Sequence, residues 1–166
     1  IYIFTHDSIT VGEDGPTHHP IEQLASLSLI PNLKVYRPYD LNELIGSYMD
    51  IMNNTSPSAL ILPRDNKEIS ELTKINGVFD GMYIVLDSLK DDYINLITNG
   101  EELGLVLEVA KNLRELDIGV KVISIPCLKN VKPKEKAKLL EKRTIGITLG
   151  VPDYLYSFTN EVIGIT

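Results

Sequence analysis

Residues 33–62, LKVYRPYDLNELIGSYMDIMNNTSPSALIL, hold a complete strand–helix–strand unit. Leu33 to Tyr36 is a short apolar run of strand type. Asp40-Leu41-Asn42-Glu43 has the form of a capping box, with the Asp side chain accepting from the amide three residues on and the Glu side chain reaching back. Behind it Leu41, Leu44, Ile45, Tyr48, Met49 and Met52 recur at helical spacing, the strongest such stripe in the chain, and the methionines on it are expected to be core filler. Asn53 to Pro57 breaks the helix, and Ala59 to Leu62 is a second apolar strand. Upstream, Ile1 to Thr5 is expected to be a strand buried on both faces, and Pro20 opens a helix carrying Ile21, Leu24, Ala25 and Leu27 that Pro31-Asn32 stops. The chain begins directly in a strand and without Met, which suggests a piece of something longer.

The same alternation continues downstream. Tyr83 to Leu86 and Tyr93 to Thr98 read as strands, Asn99-Gly100 as a turn, and Glu101 to Leu116 as a helix with Leu105, Val106, Val109, Ala110, Leu113 and Leu116 inward. Val120 to Ile125 is a strand, Lys134 to Glu141 a charged helix, Thr144 to Thr148 a strand, Asp153 to Phe158 helical and Val162 to Ile165 a last strand. The expected fold class is α/β, as two three-layer units with mostly parallel sheets. Residues 1–64 form the first unit, 65–80 a linker, and 81–166 the second.

With 166 residues, 43% hydrophobic and 23% charged, the chain can bury one sizeable core or two small ones. Its net charge of −7 disfavours nucleic acid and anionic lipid, so a phosphate-bearing ligand needs local cations. There is no apolar run of membrane-spanning length and no signal-peptide pattern, so the default location is cytoplasmic and no membrane partner is expected. The single cysteine, Cys127, follows an apolar strand and is assigned a small apolar role rather than chemistry.

All three histidines, His6, His18 and His19, fall in one loop together with Asp7, Gly12, Glu13, Asp14, Gly15 and Pro16. A loop that follows a strand of an open α/β sheet is where ligands bind, and imidazoles beside carboxylates offer proton transfer and hydrogen bonds to sugar hydroxyls. A metal site of His6, Asp14 and His18 competes, but it has neither helical nor finger-like ligand spacing, and no metal ligands are assigned. Taken singly, each residue also has a purely structural use: His6 at a strand end, Asp14 closing a turn with Gly15, His18 donating to a carbonyl.

Thr5-His6-Asp7-Ser8-Ile9, then Val11-Gly12-Glu13-Asp14-Gly15-Pro16-Thr17-His18 and Pro20-Ile21-Glu22, resemble the transketolase signature. Ile30-Pro31-Asn32-Leu33, Arg37-Pro38, Asp40, Pro57 and an apolar strand ending in Arg64 keep that family's order. Asn99-Gly100-Glu101-Glu102 and Val120 to Pro126 are similar more loosely. The resemblance implies that His6 and Arg64 bind the phosphate of a sugar phosphate, that Asp14 reads the hydroxyl next to the carbonyl, and that His18 stands near the reacting ketose oxygen. Asp7 and Glu13 are expected mainly to orient the loop, and Tyr154 and Tyr156 to pack rather than bind a ligand. Pro63, Asp65 and His19 depart from the family pattern, and a carboxylate at position 65 pointing inward would weaken anion binding.

Through that resemblance the complete protein is expected to use thiamine diphosphate with Mg2+ or Ca2+, to move a two-carbon ketol unit between sugar phosphates, and to act as a homodimer. The cofactor sites are expected on a missing N-terminal half, so the chain alone should bind no cofactor and be inactive. Two rivals remain: a deoxyxylulose phosphate synthase, disfavoured by Pro20-Ile21-Glu22, and a noncatalytic dimerisation or regulatory module of the same fold.

Overall fold

The computed structural model describes residues 1–10, 12–63 and 70–165. Its first sheet contains β1 (Tyr2–Phe4), β2 (Lys34–Tyr36) and β3 (Ser58–Ile61) in the order β1-β3-β2, every pair parallel. Helix α1 (Gln23–Ser28) lies on the first crossover and α2 (Leu41–Met52) on the second. Parallel pairing puts the carboxyl ends of all three strands on one edge, so His6, Arg37 and Leu62 leave the sheet together; the Leu62 amide still donates to the Phe4 carbonyl at 2.8 Å.

The second sheet runs β4-β6-β5-β7-β8, from β4 (Tyr83–Leu86), β5 (Ile94–Thr98), β6 (Val120–Ser124), β7 (Thr144–Ile147) and β8 (Glu161–Ile163). Its helices are α3 (Glu102–Glu115) and α4 (Pro133–Leu139). Both sheets are therefore mostly parallel α/β. The exception is β4, antiparallel to β6. The short connection from β4 to β5 has no crossover helix, so β5 starts at the end of the sheet where β4 finishes and runs opposite to it, and β6, parallel to β5, is therefore antiparallel to β4.

Three apolar clusters order the layers. One, with Tyr36, Ile51, Leu60, Val78 and Cys127, lies between α2 and the first sheet. Another, with Leu103, Val106, Ala110 and Val122, lies between α3 and the second sheet. The central cluster joins Leu24, Val35, Ala59 and Ile61 to Ile97, Ile123, Leu139 and Leu155, so the two units share a core. Cys127 is buried within these layers, and burial pushes its thiol up to about 12, in keeping with a packing role.

Several sequence expectations need correction. β1 is an edge strand, and Ile1, Tyr2 and Ile3 are exposed rather than buried on both faces. The α2 stripe is helical but faces outward: Leu41, Ile45, Tyr48 and Met49 are exposed, and Met52 is 75% exposed, so the methionines fill no core within this chain. Instead α2 buries Glu43, Gly46, Ser47 and Ile51. Small residues there let the helix approach so closely that a Cβ on Gly46 would stand 2.3 Å from the Ile75 carbonyl oxygen. On α3 Val106, Val109, Ala110 and Leu113 face inward as expected and Leu103 joins them, while Leu105 and Leu116 are exposed.

The capping box forms with a shift. Asp40 Oδ1 accepts from the Glu43 amide at 3.1 Å, but Glu43 Oε2 accepts from the Tyr39 amide at 2.8 Å rather than from the cap residue. Of the expected linker, residues 65–69 lie outside the described residues. The remainder of that stretch is packed: the 3-10 turn Ile75–Val78 docks on α2 with Val78 fully buried, and Asp40 Oδ2 takes the Thr73 hydroxyl at 2.6 Å. Among the described residues no helix is long and apolar enough to cross a membrane.

Candidate functional site

Two glycines shape the loop after β1. Gly12 and Gly15 have φ of 70° and 71°, a left-handed conformation that side chains rarely adopt, and each begins or precedes a 3-10 turn (Gly12–Asp14 and Pro16–His18). The turns fold the loop back over the end of β1. There the His6 and His18 rings stand 5.7 Å apart between centroids, tilted by 41°. His6 Nδ1 pairs with the Thr5 hydroxyl at 3.0 Å and His18 Nδ1 with the Thr17 hydroxyl at 2.9 Å, so Nε2 is the nitrogen each ring can offer to a ligand. Both line a cleft of about 400 Å³ together with Phe4, His19, Pro20 and Gln23.

His6 and His18 thus come together as the sequence implied. Asp14 is exposed on the same loop and is not among the side chains lining this cleft. Arg64 and Asp65 lie outside the described residues; Pro63 follows β3, which pairs with β1. Among the described residues no three metal-ligating side chains are grouped to hold an ion. A larger depression of about 680 Å³ lies on the second sheet by Tyr93, Lys121 and Lys142. Its lysines are engaged locally, Lys121 with Asp87 at 3.0 Å and Lys142 with the Asp91 carbonyl at 3.1 Å, and it has no histidine.

Beneath the loop lies a buried polar network that sequence reading missed. Arg37, 1% exposed, donates from Nε to Asp7 Oδ1 at 2.7 Å and from Nη1 to Glu102 Oε1 at 2.8 Å, with Nη2 2.8 Å from Glu102 Oε2. Nη1 also reaches the Asn99 side-chain oxygen at 2.9 Å. Tyr154, expected only to pack, donates to Asn99 and Thr148 here, while Tyr156 is exposed. Gly100 must be glycine, since a Cβ would stand 2.6 Å from Arg37 Nε. Burial pushes the Asp7 carboxyl above its ordinary value against the pull of Arg37, and the Glu102 charge adds to the push. Burial alone would lower the Arg37 value, but the Glu102 and Asp7 carboxylates hold it well above the usual range. The sequence signal was a charged residue at each of three strand or helix ends; their pairing across dozens of residues was not visible.

A second such link joins the units behind α2. Glu43, fully buried, accepts from the Ser124 hydroxyl at 2.6 Å and the Tyr83 hydroxyl at 2.7 Å. Burial raises its carboxyl above the ordinary value, opposed by those hydrogen bonds.

The family model described as transketolase, pyrimidine binding domain, matches residues 1–68, and that described as transketolase-like TK C-terminal domain matches residues 81–166. The chain belongs to the transketolase family. A probable transketolase of Streptococcus pneumoniae is 36% identical over 165 residues, covering 95% of this chain and 25% of the relative. Transketolase from Leishmania mexicana superposes with a TM-score of 0.88 at 32% identity, covering 99% of this chain and 25% of that one. A transketolase complex with sedoheptulose 7-phosphate from Pichia stipitis superposes with a TM-score of 0.88 at 28% identity, covering 97% and 25%. The chain therefore spans about a quarter of the length of these transketolases.

Proposed function

We propose that this chain is the sugar-handling C-terminal part of a transketolase, which transfers a two-carbon ketol unit from a ketose phosphate to an aldose phosphate. The observation that carries the reading is the His6–His18 pair facing one cleft at the carboxyl end of β1, in a chain of this family. The sugar phosphate in the related Pichia stipitis complex supports the substrate class. We divide the chain into the end of the pyrimidine-binding domain (1–64), a connector (65–80) and the C-terminal domain (81–166).

In this proposal His6 holds the phosphate through Nε2, with Arg64 as the second anchor; a permanently charged planar guanidinium suits a phosphate in an acidic protein. His18 offers Nε2 to the reacting ketose oxygen, where it stabilises charge and moves a proton. Asp14 contacts the hydroxyl next to the carbonyl and so reads its configuration. Family membership implies thiamine diphosphate, which supplies the nucleophile for ketol chemistry. Among the described residues no three metal-ligating side chains are grouped to hold a divalent ion on a diphosphate. We assign the cofactor and its Mg2+ or Ca2+ to the remainder of the complete protein, and expect that protein to act as a homodimer.

The test is a coupled ketol-transfer assay with calorimetry in thiamine diphosphate and Mg2+, on the complete protein and on the 166-residue chain. The complete protein is expected to bind cofactor and turn over, and the isolated chain to do neither. Turnover by the isolated chain would sink the division of labour, and an inactive complete protein would sink the assignment.

A further inference from the structure

The Arg37 guanidinium joins the histidine loop to the second unit, and the Asp7 carboxyl also takes a hydrogen bond from the Glu101 backbone. Asp7 directly follows His6, and its side chain points inward, 3% exposed, onto Arg37 Nε. The loop closes on this residue: the Thr10 hydroxyl donates to the Asp7 carbonyl at 3.0 Å, and Ser8 is held at φ 50°, a left-handed conformation that persists in a serine only where neighbours enforce it. On the other side, Glu102 Oε1 accepts a hydrogen bond from Arg37 Nη1 at 2.8 Å, and Glu102 Oε2 stands 2.8 Å from Nη2 as an ion pair. Glu102 is itself fixed at the start of α3, accepting from the Leu149 amide at 2.5 Å and the Thr148 hydroxyl at 3.2 Å. It does not line the histidine cleft.

A carboxylate hydrogen-bonded to one terminal nitrogen of a guanidinium and ion-paired to the other restrains its orientation, and with it the direction in which Nε points. We propose that Glu102 is a positioning residue for the sugar-reading loop: through Arg37 and Asp7 it determines where His6 stands at the cleft. The C-terminal domain thereby takes part in substrate recognition without touching substrate. The inference rests on the ketol-transfer reading of the histidine cleft. A glutamine at position 102 keeps the shape but turns an N–H toward Arg37 on one prong, so the guanidinium swings and the root of the loop moves with it.

The test is a double-mutant cycle in the complete protein with thiamine diphosphate and Mg2+, comparing wild type, Glu102→Gln, Asp7→Asn and the pair. Displacement of a binding group by about 1 Å costs on the order of 100-fold, so Glu102→Gln is expected to lower kcat/KM for the ketose phosphate by about 10- to 100-fold. Cofactor Kd should stay within about twofold, and in the Asp7→Asn background the same substitution should change kcat/KM by less than about twofold, because the relay is already cut. A residue that only stabilises the fold would give the same fold-loss in both backgrounds, and that result overturns the inference; so does a rise in cofactor Kd that matches the loss. Should Glu102→Gln fail to fold, Glu102→Asp, which keeps the charge but withdraws it by one methylene, carries the same cycle with the same expectations. An active wild type with additive losses overturns this inference alone. A wild type without ketol transfer overturns the functional reading and this inference with it.

Discussion

Replacing Arg37 with Met tests the buried network most severely. The side chain is 1% exposed, and it is the shared partner of two carboxyl groups, Asp7 at 3% and Glu102 at 0% exposure. Methionine fills much of the volume but leaves both without their cation. Breaking a buried ion pair from one side typically costs about 3–5 kcal/mol, a large part of the roughly 5–15 kcal/mol that holds a domain folded. For a chain of this size each kcal/mol moves the thermal midpoint by about 2–4 °C, so a fall of roughly 6–20 °C is expected near pH 8. The loss should shrink toward pH 5. Asp7 already has a raised value from burial, and without the opposing pull of Arg37 it rises further. A carboxyl whose folded value exceeds its unfolded one stabilises the protein below the unfolded value and loses that contribution as pH rises through the folded one. Thermal and urea denaturation of the chain, followed by circular dichroism at the two pH values, measure both effects. A loss under about 1 kcal/mol near pH 8, or one equal at both pH values, would refute the claim that Arg37 neutralises this site.

Three further substitutions probe other links. Glu43 has a folded value raised by burial, so its contribution is greatest at low pH and is lost as pH rises through that value; Glu43→Gln should remove this slope, and a urea midpoint difference from wild type that stays constant between about pH 4 and 8 would contradict it. Gly46→Val places a Cβ 2.3 Å from the Ile75 carbonyl oxygen and 2.8 Å from a Val78 methyl. The resulting overpacking should lower stability by about 1–3 kcal/mol, read as a shifted denaturation midpoint. In the complete protein Asp14→Ala should cost about 1.5–3 kcal/mol in kcat/KM toward sugars bearing the recognised hydroxyl and little toward their deoxy analogues; equal losses would remove its proposed role.

The order of elements was legible because strand and helix periodicities are local properties. Asp40 announced α2, and the alternation of apolar strands with striped helices announced two mostly parallel sheets. Which face of a helix turns inward is a property of its neighbours. The α2 stripe looked like core, yet Gly46 and Ser47 allow a closer approach to the Ile75–Val78 turn than leucines and methionines would, and that face won. Likewise β4 has strand composition but no crossover helix after it, and its antiparallel pairing depends on β6, dozens of residues away. His6 and His18 were legible because they share one loop, which two positive-φ glycines fold back on itself. Arg37, Asp7 and Glu102 were not, because an ion-pair network between distant segments leaves no period or spacing in the chain.

The central claim is that the cleft between His6 and His18 receives a sugar phosphate, and one ratio tests it most directly. In the complete protein, kcat/KM for a phosphorylated ketose donor is divided by that for its unphosphorylated counterpart, in wild type and in His6→Ala. A hydrogen bond to a charged group is worth about 1.5–3 kcal/mol, so the account predicts that His6→Ala lowers the ratio by roughly 10- to 100-fold. A ratio left unchanged, with both donors slowed equally, would contradict it.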